Sequence, residues 1–303
     1  MAMIAAVALI IDALIGWPEG IYRRIGHPVT WLGRLIARLD RDMNRGDMKR
    51  LKGAAAAMLV VAAAIAPAVM LQSWLGLWGA AIMAWPLVAA RSLDQHLQAV
   101  ARPLAAGNLQ DARQATAMIV GRDVRRADEA ALCRASLESL SENTSDGVIA
   151  PLFWAAVGGL PGIAAYKAIN TLDSMIGHRT PRHEAFGMFA ARLDDVANLI
   201  PARLTALLIA LASGPGAGRA LGCARRDAPA HRSPNAGWPE GAMAGALGVR
   251  LSGPRAYADR VADEPWLNGG APDPQVGDLL RGIGLYRRAV AVMAALLIAA
   301  ALV

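Results

Sequence analysis

Gly53 to Gln72 reads GAAAAMLVVAAAIAPAVMLQ, a run without a single charge. Its length matches the roughly 20 residues an α-helix needs to cross the hydrocarbon core of a bilayer. A backbone in lipid must satisfy its own hydrogen bonds, so such a run belongs in a helical membrane bundle. Trp74–Ala90 is a second uncharged run, and Ala289–Val303 is a third. Met1–Gly16 is apolar except for Asp12; without a basic leader or a clear cleavage site it reads as retained. Val148–Tyr166 and Val196–Ser213 are further candidate spans, interrupted by Gly-Gly, Pro-Gly or Pro-Ala-Arg. Those interruptions leave room for broken or re-entrant helices.

Composition agrees with this reading: 55% of the chain is hydrophobic and 18% charged, against about 25% charged in soluble domains. The expected fold is all-α, a polytopic membrane-embedded bundle with residues 1–303 forming a single domain. Segments 17–52 and 91–147 are expected in the cytoplasm, and 214–288 is expected to be polar and rich in loops. Arg23, Arg24, Arg34, Arg38, Arg41, Arg45, Lys49, Arg50 and Lys52 place the first of these on the inner side. A tight external hairpin is then expected at Gln72–Ser73. In 91–147, apolar residues at Leu93, Leu97, Val100 and Leu104 carry helical spacing, and Gly107-Asn108 is a helix stop. One conflict stays open. If Val148–Tyr166 and Val196–Ser213 both span, Lys167–Asp195 lies outside; if both are re-entrant, it faces the cytoplasm.

The net charge of +7 comes from 31 basic and 24 acidic residues, with the basic ones dispersed between apolar runs. No Lys/Arg tract or aromatic platform accompanies them, which argues against a nucleic-acid partner and for the positive-inside bias of membrane proteins. Cys133 and Cys223 form no metal or disulfide pattern.

Four polar groups interrupt this apolar chain. Glu138 and Glu142 lie four apart on one helical face, followed by Asn143, Asp146 and Gly147. Such oxygen density suits a hard cation such as Mg²⁺, or else forms a solvated acidic face. Lys167, Asn170 and Ser174 share a face beside Asp173; Lys167 could attract an anion or only snorkel to the interface. Arg192, Asp194, Asp195 and Asn198 lead into an apolar run that also holds Arg203. Ionisable groups at that depth face a protein interior or a wet cavity, though an Arg–Asp pair that orients helices would look the same. The fourth group, Arg226 to Glu240, interleaves His231, Arg232, Ser233 and Asn235 with Pro and Gly, a fixed loop suited to ligands. Arg226 and Arg232 could clamp phosphate oxygens. His27-Pro28-Val29 after Asp12 and Pro18 is a smaller version of this pattern.

Absences narrow the chemistry. The chain has no Walker loop and only three lysines, no His-Glu-x-x-His helix and no Gly-x-Ser-x-Gly elbow. Its five histidines lack metal-ligand spacing.

The strings ESLSENTSDGVIAPLFW, GGLPGIAAYKAINTLDSMIGH, FAARLDDVANLIPARLTA and RDAPAHRSPNAGWPEGAMAGALGVRL, with Asp12, Pro18 and His27-Pro28-Val29, closely resemble the cobinamide-phosphate synthase family. Their order is kept over nearly the whole chain. His178 stands where a Tyr is expected, and Gly269–Pro272 is looser than the family pattern.

The resemblance implies amide formation between cobyric acid and aminopropanol phosphate, or free aminopropanol, at the bacterial inner membrane. It implies Mg²⁺ and ATP, with the corrinoid as substrate and a site facing the cytoplasm. Other corrinoid-assembly enzymes are possible partners. Under that implication Glu138, Glu142, Asp194, Asp195 and Lys167 are expected to be catalytic. Glu142, Asp146, Asp173 and Asp194 would hold the metal. His27, Asn143, Asn170, Arg192, Asn198, Arg203, Arg226, His231, Ser233 and Asn235 would bind substrate. An intramembrane prenyltransferase, using Asn170/Asp173 and Asp194/Asp195/Asn198 on Mg²⁺-diphosphate, is one alternative. A transporter is another, but no repeated halves are visible.

Overall fold

The computed structural model describes residues 1–256, 261–262 and 264–302. Residues 257–260 and 263, inside the expected 214–288 segment, and Val303, the end of the expected C-terminal span, lie outside the described residues. The helices are α1 Ala2–Ile15, α2 Glu19–Ile25, α3 Pro28–Met43, α4 Lys49–Ala84, α5 Ala90–Ala105, α6 Leu109–Ala117, α7 Glu129–Asn143, α8 Ala150–Leu172, α9 Met188–Ala212, α10 Ala217–Asp227, α11 Gly237–Leu247 and α12 Val276–Leu302. Leu251–Ser252 pairs with Trp266–Leu267, and Arg255–Ala256 with Val261–Ala262, as two-residue antiparallel ladders. The all-α membrane class therefore holds. Among the described residues four helical stretches are long and apolar enough to cross a bilayer, or five with the bent α1/α2–α3 pair.

Two compact units make up the chain: Met1–Ala89 with Ala150–Asn198 and Ala294–Val303, and Ala90–Ile149 with Leu199–Met293.

In the first unit, α4 runs helically through Gln72 and Ser73, so the expected hairpin is not there. The break comes at Gly76, whose φ of 63° and ψ of −163° leave the helix. Trp74 and Leu75 complete the first arm instead of opening a separate span. The helix after the break, Leu77–Ala84, is about 12 Å long, too short to cross.

Val148–Tyr166 is also not one straight span. Gly159 has φ 63° and ψ −147°, and Gly162 comes to lie against the Trp154 backbone carbonyl. Ala150, Tyr166 and Ala197 share one buried cluster, although a straight helix would hold the first two about 24 Å apart. The chain therefore folds back on itself at Gly159. Leu160 loses its intrahelical acceptor there, and its N–H donates to Gln72 Oε1 on α4 at 2.7 Å. From Gly159 the uncharged sequence extends about 18 Å back to Asp146 and about 10 Å forward to Lys167. Neither length matches the roughly 30 Å of hydrocarbon. The stretch qualifies as a span by length and composition alone; its geometry is that of a re-entrant hairpin.

Its expected counterpart behaves differently. Val196–Ser213 is part of α9, one helix of 25 residues, so the two segments are not alike. Pro201 lacks the N–H that would bond the Ala197 carbonyl, and the Trp154 indole donates to that carbonyl at 3.1 Å. One apolar cluster of the unit joins Ile36 of α3, Ala56, Ala57 and Val60 of α4, Leu172, Ile176, Phe186 and Ala190. Asp40 on α3 accepts Arg182 at 2.6 and 3.1 Å, and Asn44 donates to the Arg182 carbonyl at 3.1 Å. Those bonds tie down the loop that leads into α9.

In the second unit α5 buries Leu93, Leu97, Val100 and Leu104, as its spacing predicts. The helix stop is realised: Asn108 caps α6 by accepting the Asp111 N–H at 3.1 Å. The expected loop-rich 214–288 segment holds α10 and α11, which pack closely because Gly241 and Gly245 lie directly against Ala220, Cys223 and Ala224. Its end belongs to α12, which begins at Val276, well before the expected start at Ala289.

Candidate active site

The first unit brings Asp194, Asn198, Asn170 and Asp173 together. Asp194 and Asn198 stand one turn apart on α9, and Asn198 Nδ2 donates to Asp194 Oδ2 at 3.0 Å. Tyr166 donates its hydroxyl to Asn198 Oδ1 at 3.0 Å. The fold-back at Gly159 is what carries Tyr166, Lys167, Asn170 and Asp173 to α9. Asp173, Asn170 and Asp195 are the other near neighbours of the Asp194 carboxylate. Asp194 Oδ1 is buried without a hydrogen-bond partner. An orphaned buried acceptor costs about 1–3 kcal/mol, and gathering acidic groups around it adds repulsion that a cation would relieve. Asp195 lies near Arg192 and Arg179.

These donors suit Mg²⁺ in its usual protein setting, one or two carboxylates with water and substrate oxygens completing the shell. Among the described residues no three His, Cys, Asp or Glu side chains converge on one point as a ready-made cage.

His27 lies within electrostatic reach of Lys167. Its Nδ1 accepts the Val29 N–H at 3.2 Å, and Thr30 Oγ1 accepts the His27 N–H at 3.3 Å, a capping box at the start of α3. The ring stands edge-on to Trp17 at 5.2 Å, and its other side faces the Pro86 backbone. That imidazole shapes the helix entry.

The second unit holds the remaining expected residues in separate groups. Arg203 donates to Asn235 Oδ1 at 2.7 Å and lies 4.8 Å from the centre of the Trp238 ring. The guanidinium is thus held at one edge by Asn235 and on one face by Trp238, a geometry suited to an anion or a carboxamide. Ser233 Oγ accepts the N–H groups of Asn235 and Ala236 at 3.3 and 3.2 Å, and His231 Nδ1 accepts the Ser233 N–H at 3.1 Å. His231 Nε2 is 3.8 Å from Glu240, both side chains buried. Arg226 is engaged by its neighbour Asp227 through two bonds of 2.7 and 2.9 Å. Arg232 reaches Glu264 at 3.4 Å.

Glu138 and Glu142 lie on the same helix with different fates. Glu138 is buried, ion-paired with Arg122 at 3.0 Å, and accepts the Ser252 N–H at 2.9 Å. Glu142 is exposed. Asn143 donates to the Ser139 carbonyl at 2.9 Å, and Asp146 lies half-buried in the π-helical turn Thr144–Ile149.

Tyr166 and Trp238 stand inside the motif strings, where the sequence alone assigns them no role. A tyrosine one residue before Lys167, at the end of an apolar run, is the signal that could have marked Tyr166. Arg122 carries no such signal, because its partner is sixteen residues away across a loop.

A family model described as CobD/Cbib protein matches residues 5–286. The chain is 60% identical over 298 residues to the "Cobalamin biosynthesis protein CobD" of Rhodobacter capsulatus, covering 96% of this chain and 95% of that one. It is 45% identical to the protein of that name from Brucella suis biovar 1 over 99% of this chain and 97% of the other. The Sinorhizobium fredii relative of the same name is 43% identical, with coverages of 97% and 94%. No solved structure matches the chain. With the family model spanning nearly all of it and full-length relatives agreeing, the chain belongs to the CobD/CbiB family, the cobinamide-phosphate synthases that its motifs resemble.

Proposed function

We propose that this protein acts in cobalamin biosynthesis as an amide ligase. It joins the free carboxylate of cobyric acid, or its adenosyl form, to aminopropanol phosphate and yields cobinamide phosphate. The observation that carries the reading to particular residues is Asp194: a buried carboxylate held by Asn198, flanked by Asp173, with one oxygen unsatisfied.

A carboxylate is a poor acyl electrophile, so its activation as an acyl phosphate at the expense of ATP is part of the proposal. Bound at Asp173 and Asp194, Mg²⁺ would supply charge neutralisation for phosphate oxygens. Asn198 fixes the direction of the Asp194 carboxylate, and Tyr166 fixes the amide of Asn198. Lys167, one residue beyond Tyr166, offers a positive charge to an anionic substrate group. In its own unit, Arg203, oriented by Asn235 and Trp238, offers a planar donor fork to a carboxylate, phosphate or corrin amide. Glu138, already paired with Arg122, acts as a positioning residue that fixes α7 against the Leu251–Ser252 strand. The working location is the bacterial inner membrane with the site facing the cytoplasm, supported by the basic 17–52 segment.

The test is replacement in Rhodobacter capsulatus of the 60% identical relative. Cells lacking it should regain corrinoid synthesis from cobyric acid when given this chain, but not when given its Asp194→Asn variant expressed to the same level. Failure of the unaltered chain, correctly inserted, would overturn the reading.

A further inference from the structure

The α2–α3 elbow carries exposed arginines that neither the fold nor the proposed chemistry uses. It leaves α1 at 108°, and the apolar side of α3 is already covered: Ile36 is buried, and Leu32, Leu35, Leu39 and Met43 pack on the buried cluster that Ile36 shares with α4. What α3 turns outward is Arg34, Arg38 and Arg41, all exposed. Their spacing of four and three draws a single stripe along the helix. Few acids compete for it. Asp40 is turned inward to Arg182 at 2.6 Å, and Asp42 reaches Arg38 only at 3.7 Å with both side chains in solvent.

A helix crossing hydrocarbon cannot present three arginines outward. Beside the stripe, at the α2–α3 junction, Tyr22, Ile25 and Trp31 are about half exposed. The Trp31 indole N–H is returned to the Ile25 carbonyl at 2.8 Å, so the ring is fixed in place. Aromatic residues next to arginines are the composition of the headgroup level, where rings enter the acyl boundary and cations meet phosphate.

We infer that α2–α3 is not half of a bent span but lies in the plane of the membrane surface, where Arg34, Arg38 and Arg41 bind the phosphates of anionic phospholipids. Charge complementarity favours that occupant over zwitterionic lipid. The stripe gives the protein a preference for the inner leaflet's acidic lipids that is separate from any substrate site. The inference stands whether or not the ligase reading does, because none of these residues takes part in it.

The experiment uses the full chain in nanodiscs of phosphatidylcholine, with or without phosphatidylglycerol at about a third of the lipid. Amide hydrogen exchange over residues 19–45 should slow when phosphatidylglycerol is present. The triple variant Arg34→Gln, Arg38→Gln, Arg41→Gln should lose that slowing. Its affinity for phosphatidylglycerol, read as lipid retained per protein, should fall by roughly fivefold per arginine. Lysine at the same three positions should keep the effect, and melting in detergent should be unchanged in both variants. Exchange that is equally slow in both lipids would mean a buried span and overturn the inference. Equally fast exchange in both, or lipid retention undiminished in the glutamine variant, would overturn it as well.

Discussion

Tyr166 and Asp194 are joined through one amide: the tyrosine hydroxyl donates to Asn198 Oδ1 and Asn198 Nδ2 donates to Asp194 Oδ2, each at 3.0 Å. The tyrosine therefore decides which end of the amide meets the acid. With Oδ1 occupied, only the NH₂ end can point to Asp194, whose Oδ1 stays without a hydrogen-bond partner.

Asn198→Asp places a second carboxylate where a donor stood. Activity should fall by at least about 100-fold, comparable to the loss of a transition-state donor, while membrane expression stays normal. Tyr166→Phe leaves the acid in place but frees the amide to flip. Its loss should be about tenfold or less, with a stability cost of about 1 kcal/mol. Initial rates with melting curves separate the two effects, and equal rates for Asn198→Asp and the unaltered chain would remove Asn198 from the site.

Trp154 completes a bond that Pro201 cannot make. Trp154→Phe should lower stability by about 1–3 kcal/mol, because the Ala197 carbonyl then has no donor in an apolar setting. Replacing Pro201 with Ala in the same variant should recover part of the loss by restoring the intrahelical N–H. The check is detergent-resistant melting of the single and double variants; additive effects would contradict the account.

These relations mark where the sequence was readable. The Asp194–Asn198 pairing followed from a spacing of four on one helix, and the α5 face and its stop at Gly107-Asn108 followed from periodicity and capping. Local rules suffice there because each partner lies within one turn. The hairpin at Gly159 was visible only as an interruption, since Gly158-Gly159-Leu160-Pro161 fits a kink as well as a reversal. What decides between them is Gln72, on another helix, receiving the Leu160 N–H. The displaced turn in α4 has a similar cause: an apolar run read by hydropathy carries no marker for where it breaks, and Gly76 was one of several small residues. Spacing pairs Glu138 with Glu142, yet its charge is matched by Arg122 from outside its helix.

Two carboxylates outside the spans should make the protein sensitive to acid. The Arg250 hydrogen bond, assisted by Arg134, holds Asp273 below its ordinary value of 3.8. Burial raises Asp227, but bonds from Arg226, the Asn268 N–H and Cys223 outweigh it and leave it lowered too. Groups so depressed stabilise the fold above their unfolded value and lose that contribution as pH falls through the folded one. Melting temperature should therefore drop below about pH 4. Asp273→Asn should cost about 1 kcal/mol near neutrality, its exposure limiting the effect. That difference should shrink below about pH 4; a difference independent of pH would exclude the Arg250–Asp273 pair as a cause.

Cys223 should be inert. Burial, with Asp227 beside it, pushes its thiol up to about 12, and Cys133 is fully buried. Thiolate is the reactive form, so neither should be alkylated by N-ethylmaleimide near neutral pH until the protein is unfolded. Rapid labelling of Cys223 in folded protein would contradict the packing of α10 against α11, and rapid labelling of Cys133 would contradict its burial on α7.

The most direct test of the proposed reaction is an omission series with the purified full chain in detergent, supplied with cobyric acid, aminopropanol phosphate, ATP and Mg²⁺. The account predicts cobinamide phosphate only when all four are present, and none from the Asp194→Asn variant. Product formed without ATP would contradict the acyl-phosphate step, and no product from folded protein with all four components would contradict the ligase assignment itself.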